Sequence, residues 1–260
     1  MSQGLDVIQP PDVRDPGFLD HLRGLRPGTA VVVAFGQIFP KTLLELPVHG
    51  CINVHASLLP RYRGAAPIQA AIIAGDRVTG VTTMRMDEGL DTGSILLQDE
   101  LEIGAEETAG ELAERLSSAG AKLLIETLEE LDRGRLQPRS QPDTGMSVAR
   151  RLRRSDGIID WTASSQTIFN RLRGLTPWPG VSTTLRGQPV KILWGRPLAG
   201  EGVAGGKSGS FLGVRGESLL VSCGEDTVFG VERLQKAGRK AVPAKAFVNG
   251  ERLEVGELFG

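Results

Sequence analysis

Residues 50–60, Gly-Cys-Ile-Asn-Val-His-Ala-Ser-Leu-Leu-Pro, read as a strand that stops at a proline, and this segment constrains the fold most. Side chains two apart on a strand share a face, so Asn53 and His55 project together while Ile52 and Val54 point into apolar packing. The polar pair lies where strand gives way to loop. In open α/β sheets that edge is where ligands bind.

The flanking pattern alternates strand and helix. Leu5 to Ile8 reads as a short strand, and Phe18, Leu19, Leu22 and Leu25 share one helical face. Residues 30–34, Ala-Val-Val-Val-Ala, form an apolar run of the kind buried on both faces of a parallel sheet. A helix opens at Pro67 and ends near Gly75, and a strand over 81–86 leads into a loop carrying Asp87 and Asp91. After a strand over 94–103, Thr108 and Glu111 form a capping box for a long helix. Its core stripe is Leu112, Leu116, Leu123, Leu128 and Leu131, and Gly134 stops it. The first half is therefore an α/β domain over 1–136.

Pro138, Pro142 and Gly145 mark 137–156 as a linker. Beyond it, after a helix near 165–172, short strands over 181–186, 190–194, 219–222 and 228–234 are separated by glycines, as in a small antiparallel barrel over 157–260. The glycine-rich stretch 200–209 reads as a mobile loop, and Trp161 and Trp178 as barrel core, with stacking on a nucleotide as the alternative.

The residue types at the strand end suit acyl transfer between nitrogens. An imidazole trades protons near neutral pH, a carboxamide donates to an oxyanion, and a carboxylate orients the imidazole. His55 and Asn53 supply the first two. Asp91 or Asp87 supplies the third, although Asp87 can equally accept backbone hydrogen bonds within its turn.

Composition excludes several classes. With 40% apolar and 23% charged residues the chain is ordinary globular protein, without a signal peptide or an apolar run long enough to span a membrane. Cys51 and Cys223 are isolated, and His21, His49 and His55 are the only histidines, so neither a disulfide framework nor a zinc cluster is expected. A cytoplasmic monomer that binds neither DNA nor membrane is the expectation. Residues 1–149 carry 13 Lys/Arg against 21 Asp/Glu, and residues 150–260 carry 17 against 10. Net charges of −8 and +7 point the second half toward a polyanion. Its basic residues include Arg150, Arg151, Arg153 and Arg154, then Arg171, Arg173, Lys236, Arg239 and Lys240. Arg61 and Arg63 could hold ligand carboxylates or phosphates, or simply lie on a surface loop.

Residues 53–68, Asn-Val-His-Ala-Ser-Leu-Leu-Pro-Arg-Tyr-Arg-Gly-Ala-Ala-Pro-Ile, resemble the signature of the 10-formyltetrahydrofolate-dependent formyltransferases. Residues 86–93, Met-Asp-Glu-Gly-Leu-Asp-Thr-Gly, are similar to the family's second motif. The stretches 176–180, 187–192 and 237–250 resemble the second domain of members that act on tRNA. The resemblance implies a Rossmann-like domain followed by an OB-like barrel that binds tRNA. It implies a catalytic triad of Asn53, His55 and Asp91. It assigns a folate-binding loop to Ser57, Leu58, Leu59 and Pro60, bordered by Phe35 and Gly36.

The implied activity is transfer of the formyl group of 10-formyltetrahydrofolate, without a metal, to the α-amino group of methionyl-initiator-tRNA for translation initiation. An amino sugar nucleotide as acceptor, hydrolysis of the formyl folate, or an inactive tRNA-binding remnant are the alternatives. The family also begins with a strand–helix–strand unit of roughly 50 residues before anything seen here. The expectation is that the 260-residue form, lacking it, is unstable or inactive alone.

Overall fold

The computed structural model describes residues 4–198 and 206–260. In chain order the first elements are α1 (Pro16–Leu25), β1 (Ala30–Val33), α2 (Lys41–Leu44), β2 (Cys51–His55), β3 (Arg63–Gly64), α3 (Pro67–Ala74), β4 (Val78–Arg85), β5 (Ile95–Glu102), α4 (Ala109–Asp132) and β6 (Val148–Ala149). Then follow α5 (Ser165–Gly174), β7 (Val181–Leu185), β8 (Gln188–Leu198), β9 (Phe211–Arg215), β10 (Ser218–Ser222), β11 (Val228–Lys236), β12 (Val242–Pro243) and α6 (Ala244–Glu251). Two compact units result. One comprises residues 1–67, 79–101 and 115–150, and the other 68–78, 102–114 and 151–260.

The first unit is built on a four-stranded sheet in the order β1-β2-β4-β5. β1 runs parallel to β2 with Val33 opposite Val54, so the loops after both strands leave the same edge. β4 is antiparallel to β2 and sets Thr82 opposite His55. The sheet is therefore mixed. Further along, α4 lies close enough that a methyl group on Gly120 would meet Val54 and Val81.

The start of α4 follows from its capping box. The Thr108 amide donates to Glu111 Oε2 at 2.8 Å, and the Glu111 amide to Thr108 Oγ1 at 3.4 Å. Such a cap contributes about 1 kcal/mol. Leu112, Leu116 and Leu123 are buried on the inward stripe, each stabilising by about 1.5–3 kcal/mol. Thr127 shares that buried stripe and satisfies its hydroxyl on the Leu123 carbonyl and on Thr83.

Two expectations for this unit need correction. Leu5, Val7 and Ile8 are exposed, and residues 4–10 form no strand, because no described backbone runs beside them to complete a ladder. β1 is buried on one face only. Val32 packs with Leu44 and Cys51, whereas Val31 and Val33, on the opposite face, are left open to solvent.

The second unit is an antiparallel sheet in the order β7-β8-β11-β10-β9, with β12 beside β11. The chain end joins its two outer strands. Leu258 bridges Ser210, Phe259 bridges Leu185, and the Gly260 amide donates to the Thr184 carbonyl at 3.0 Å. Linking the two outer strands through the chain end is in keeping with the barrel expected from the strand spacing. Phe229, Leu219, Leu234, Val231 and Trp161 fill its core, and the Trp161 indole donates to Thr183 Oγ1 at 3.0 Å.

β9 follows the glycine-rich stretch and was not expected from the sequence. Residues 200–205 of that stretch, read as a mobile loop, lie outside the described residues. Trp178 is not core but half exposed. Its neighbours Pro177 and Pro179 pack against Gly110 and Gly157, and the indole between them faces outward.

Both cysteines are buried and free. Loss of water around the sulfur pushes the Cys51 thiol up to about 11 and the Cys223 thiol up to about 12. Alkylation needs the thiolate, so at pH 8 neither is expected to react with iodoacetamide in the folded protein. Mass spectrometry should show labelling of both only after denaturant is added. Among the described residues no helix is long and apolar enough to cross a membrane, and no group of His, Cys, Asp and Glu is placed to hold a metal ion.

Candidate active site

β2 delivers Asn53 and His55 to one face, and the loop after β4 folds back over that face to bring Asp91 between them. Asp91 Oδ1 accepts from Asn53 Nδ2 at 3.4 Å, and Asp91 Oδ2 faces His55 Nδ1 at 3.6 Å. The backbone amide of Gly64 donates to Asp91 Oδ2 at 2.8 Å. These side chains are largely withdrawn from solvent, with 6% of His55 and 16% of Asp91 exposed. A carboxylate so placed acts on the imidazole with little screening.

The other face of the imidazole is fixed as well. His55 Nε2 lies 2.9 Å from the Tyr62 carbonyl oxygen. A carbonyl only accepts, so this contact is a hydrogen bond when Nε2 carries the proton. Neutral His55 then has its free lone pair on Nδ1, beside Asp91. A proton taken up there gives an imidazolium held between a carbonyl and a carboxylate.

Tight backbone turns set this geometry. Asp91 has φ 52° and Tyr62 φ 58°, both in the left-handed region. Gly93 lies so close to the end of β4 that a Cβ would sit 1.8 Å from the Arg85 carbonyl oxygen. Gly64, at φ +112°, would place one 2.7 Å from the Ala149 carbonyl oxygen. Asp87 spends its carboxylate inside the loop, accepting from the Gly89 amide at 3.0 Å and Thr92 Oγ1 at 2.6 Å. Of the two carboxylates only Asp91 meets His55.

Residues 57–60 are stapled to the sheet. Ser57 is fully buried and its hydroxyl donates to the Arg61 carbonyl at 2.6 Å. Thr82 Oγ1 donates to the Ser57 carbonyl at 2.6 Å and accepts from the Leu59 amide at 3.1 Å. Gln98 Nε2 donates to the Leu59 carbonyl and to Thr82 Oγ1, both at 3.0 Å. Leu59 is buried with Met84 and Ile95, leaving Leu58 and Pro60 partly accessible. Phe35 and Gly36 lie on the exposed loop after β1, where Phe35 meets Phe39 edge-on at 5.5 Å.

Sequence reasoning missed Thr82, Gln98, Tyr62 and the stretch read as a linker. That stretch is hydrogen-bonded into the first unit. Arg139 bridges Ile95, and β6 pairs with β3. Ser147 Oγ accepts from the Tyr62 amide at 2.9 Å, and Gln141 reaches the Asp91 loop. Arg61 stacks over Tyr62, while Arg63 Nε donates to Gln141 Oε1 at 2.9 Å.

The named basic residues of the second unit divide. Arg151, Arg153, Arg154, Arg239 and Lys240 are exposed. Lys236 pairs with Glu251 at 2.9 Å, and Arg171 donates to the Asp156 carbonyl. Arg173 is buried on the carbonyls of Gly104 and Glu107, and burial pushes its pKa down.

An imidazole flanked by a carboxylate and a carboxamide at the end of an α/β sheet strand is a set of groups suited to acid–base group transfer. Residues 4–128 match the formyl transferase family and residues 151–252 its C-terminal domain, so the chain belongs to the formyl transferases.

Curated relatives include the methionyl-tRNA formyltransferase of Citrifermentans bemidjiense, 46% identical over 100% of this chain and 80% of its own length. That of Geobacter sulfurreducens is 46% identical over 98% of this chain and 79% of its own. Among solved structures, HypX from Aquifex aeolicus in complex with tetrahydrofolic acid aligns with a TM-score of 0.66 at 18% identity, covering 94% of this chain and 42% of that one. At that identity the likeness concerns the fold.

Proposed function

We propose that this chain transfers the formyl group of 10-formyltetrahydrofolate to the α-amino group of methionyl-initiator-tRNA. The observation that carries this reading is 46% identity along the whole chain to enzymes named for that acceptor. The meeting of Asn53, His55 and Asp91 in one site supports it.

His55 receives the proton of the attacking amine at Nδ1 as the new C–N bond forms. Asn53 Nδ2 has a second hydrogen beyond the one aimed at Asp91, and this hydrogen holds the oxyanion together with protonated His55. Asp91 keeps the ring oriented and offsets its charge. As the tetrahedral intermediate collapses, the bond from carbon to N10 breaks, its electron pair stays on N10, and the proton passes from His55 to that nitrogen. Tetrahydrofolate and formylmethionyl-tRNA leave.

Residues 57–60, with Phe35 and Gly36, form the folate side. Leu58, Pro60 and the Phe35 ring offer apolar surface to the pterin, while Ser57 and Leu59 act through their backbone. We assign catalysis to 1–136, the connection to 137–156 and tRNA binding to 157–260, where Arg239 and Lys240 are exposed, with the exposed Arg153 and Arg154 at the end of the connection adding to the positive charge.

Three acceptors decide the matter: methionyl-initiator-tRNA, an amino sugar nucleotide, and water. The formyl group should appear on the tRNA alone, without release of formate, and uncharged tRNA should inhibit. Preferred turnover of the sugar nucleotide, or hydrolysis indifferent to tRNA, would overturn the assignment.

A further inference from the structure

Gln141 lies 50 residues from Asp91 in sequence, yet its side-chain amide is spent wholly on the active-site loops. Nε2 donates to the Asp91 carbonyl at 2.7 Å and to the Gly93 carbonyl at 2.8 Å. Oε1 accepts from Arg63 Nε at 2.9 Å. A carboxamide has two N–H donors and one carbonyl, and here each part has a partner. Gln141 thus joins the loop carrying Asp91 to the turn whose Tyr62 carbonyl and Gly64 amide hold His55 and Asp91.

We propose that Gln141 is a positioning residue for formyl transfer, holding the left-handed backbone at Asp91 so that its carboxylate meets His55. The inference rests on the catalytic reading of His55 and Asp91 given above. The two donations tie the carbonyls of Asp91 and Gly93 to the 137–149 segment, and without them the loop can relax from φ 52°. A displacement of about 1 Å at a reacting group lowers rates about a hundredfold.

The full chain is compared with Gln141→Leu, which removes all three hydrogen bonds at similar volume, and Gln141→Glu, which keeps the acceptor for Arg63 but cannot donate twice. His55→Ala is assayed in parallel. For both Gln141 variants kcat should fall about 10- to 100-fold, with KM for the folate and for the tRNA within about threefold and a cooperative melt retained.

NMR supplies a readout that general loosening would not move. With three histidines in the chain, the ring signals of His55 should shift in both variants while those of His21 and His49 stay. Wild-type kcat in either variant, a loss confined to KM, or unchanged His55 signals would overturn the role of Gln141. Wild-type turnover by His55→Ala would instead remove the catalytic reading beneath it.

Discussion

His55→Ala is expected to lower kcat for formyl transfer by roughly a hundred- to ten-thousandfold, the range that a positioned general base supplies. The side chain is 6% exposed, its polar partners among the described residues are the Tyr62 carbonyl and Asp91, and neither can replace it. A carbonyl has no proton to exchange. Asp91 is engaged by Asn53 and by the Gly64 amide. The fold should survive, because the apolar packing of β2 comes from Ile52 and Cys51, and loss of one hydrogen bond costs about 1 kcal/mol. Single-turnover formylation, followed beside a thermal melt, separates the two effects. A variant that melts normally and turns over within about tenfold of wild type would sink the proton-transfer role of His55.

Some of this site could be read before any coordinates, and the reason is periodicity. Asn53 and His55 share a face because strand side chains alternate, and that follows from spacing alone. Asp91 needed a motif, since nothing in residues 86–93 says that their loop folds back over the sheet. The contributions of Tyr62 and Gly64 were invisible for another reason: they come from a carbonyl and an amide that every residue type carries. Gln141 was hidden by its company. Prolines and glycines around 137–149 predict absence of regular structure, and they are silent about which loop an irregular segment is bonded to.

The fold shows the same division. The stripe from Leu112 to Leu123 and the capping box at Thr108 are local and were legible. Exposure of Val31 and Val33 depends on which layers cover β1, which an apolar run cannot state. Trp178 was misplaced because hydrophobicity says nothing of the direction in which a side chain leaves its turn, and its indole is half exposed.

Gly93→Ala should disable the protein more broadly. An added Cβ would lie 1.8 Å from the Arg85 carbonyl oxygen, 2.9 Å from its carbon and 3.2 Å from Met86 Cα. All three are backbone atoms at the end of β4, so no side chain can swing aside, and the loop itself must shift. The Gly93 carbonyl is also one of the two that Gln141 holds, and Asp91 is two residues upstream. Movement at this point therefore carries the carboxylate away from His55. Turnover should fall about a hundredfold or more, and stability by about 1–3 kcal/mol, as overpacking typically costs. Gly24→Ala is the matched control, being an open position within α1 with nothing within 4 Å of its Cβ. There the substitution should be neutral or stabilise by about 0.5–1 kcal/mol. If Gly93→Ala instead melted and turned over like Gly24→Ala, the loop would have room that these distances deny, and Asp91 would not be held where transfer requires it.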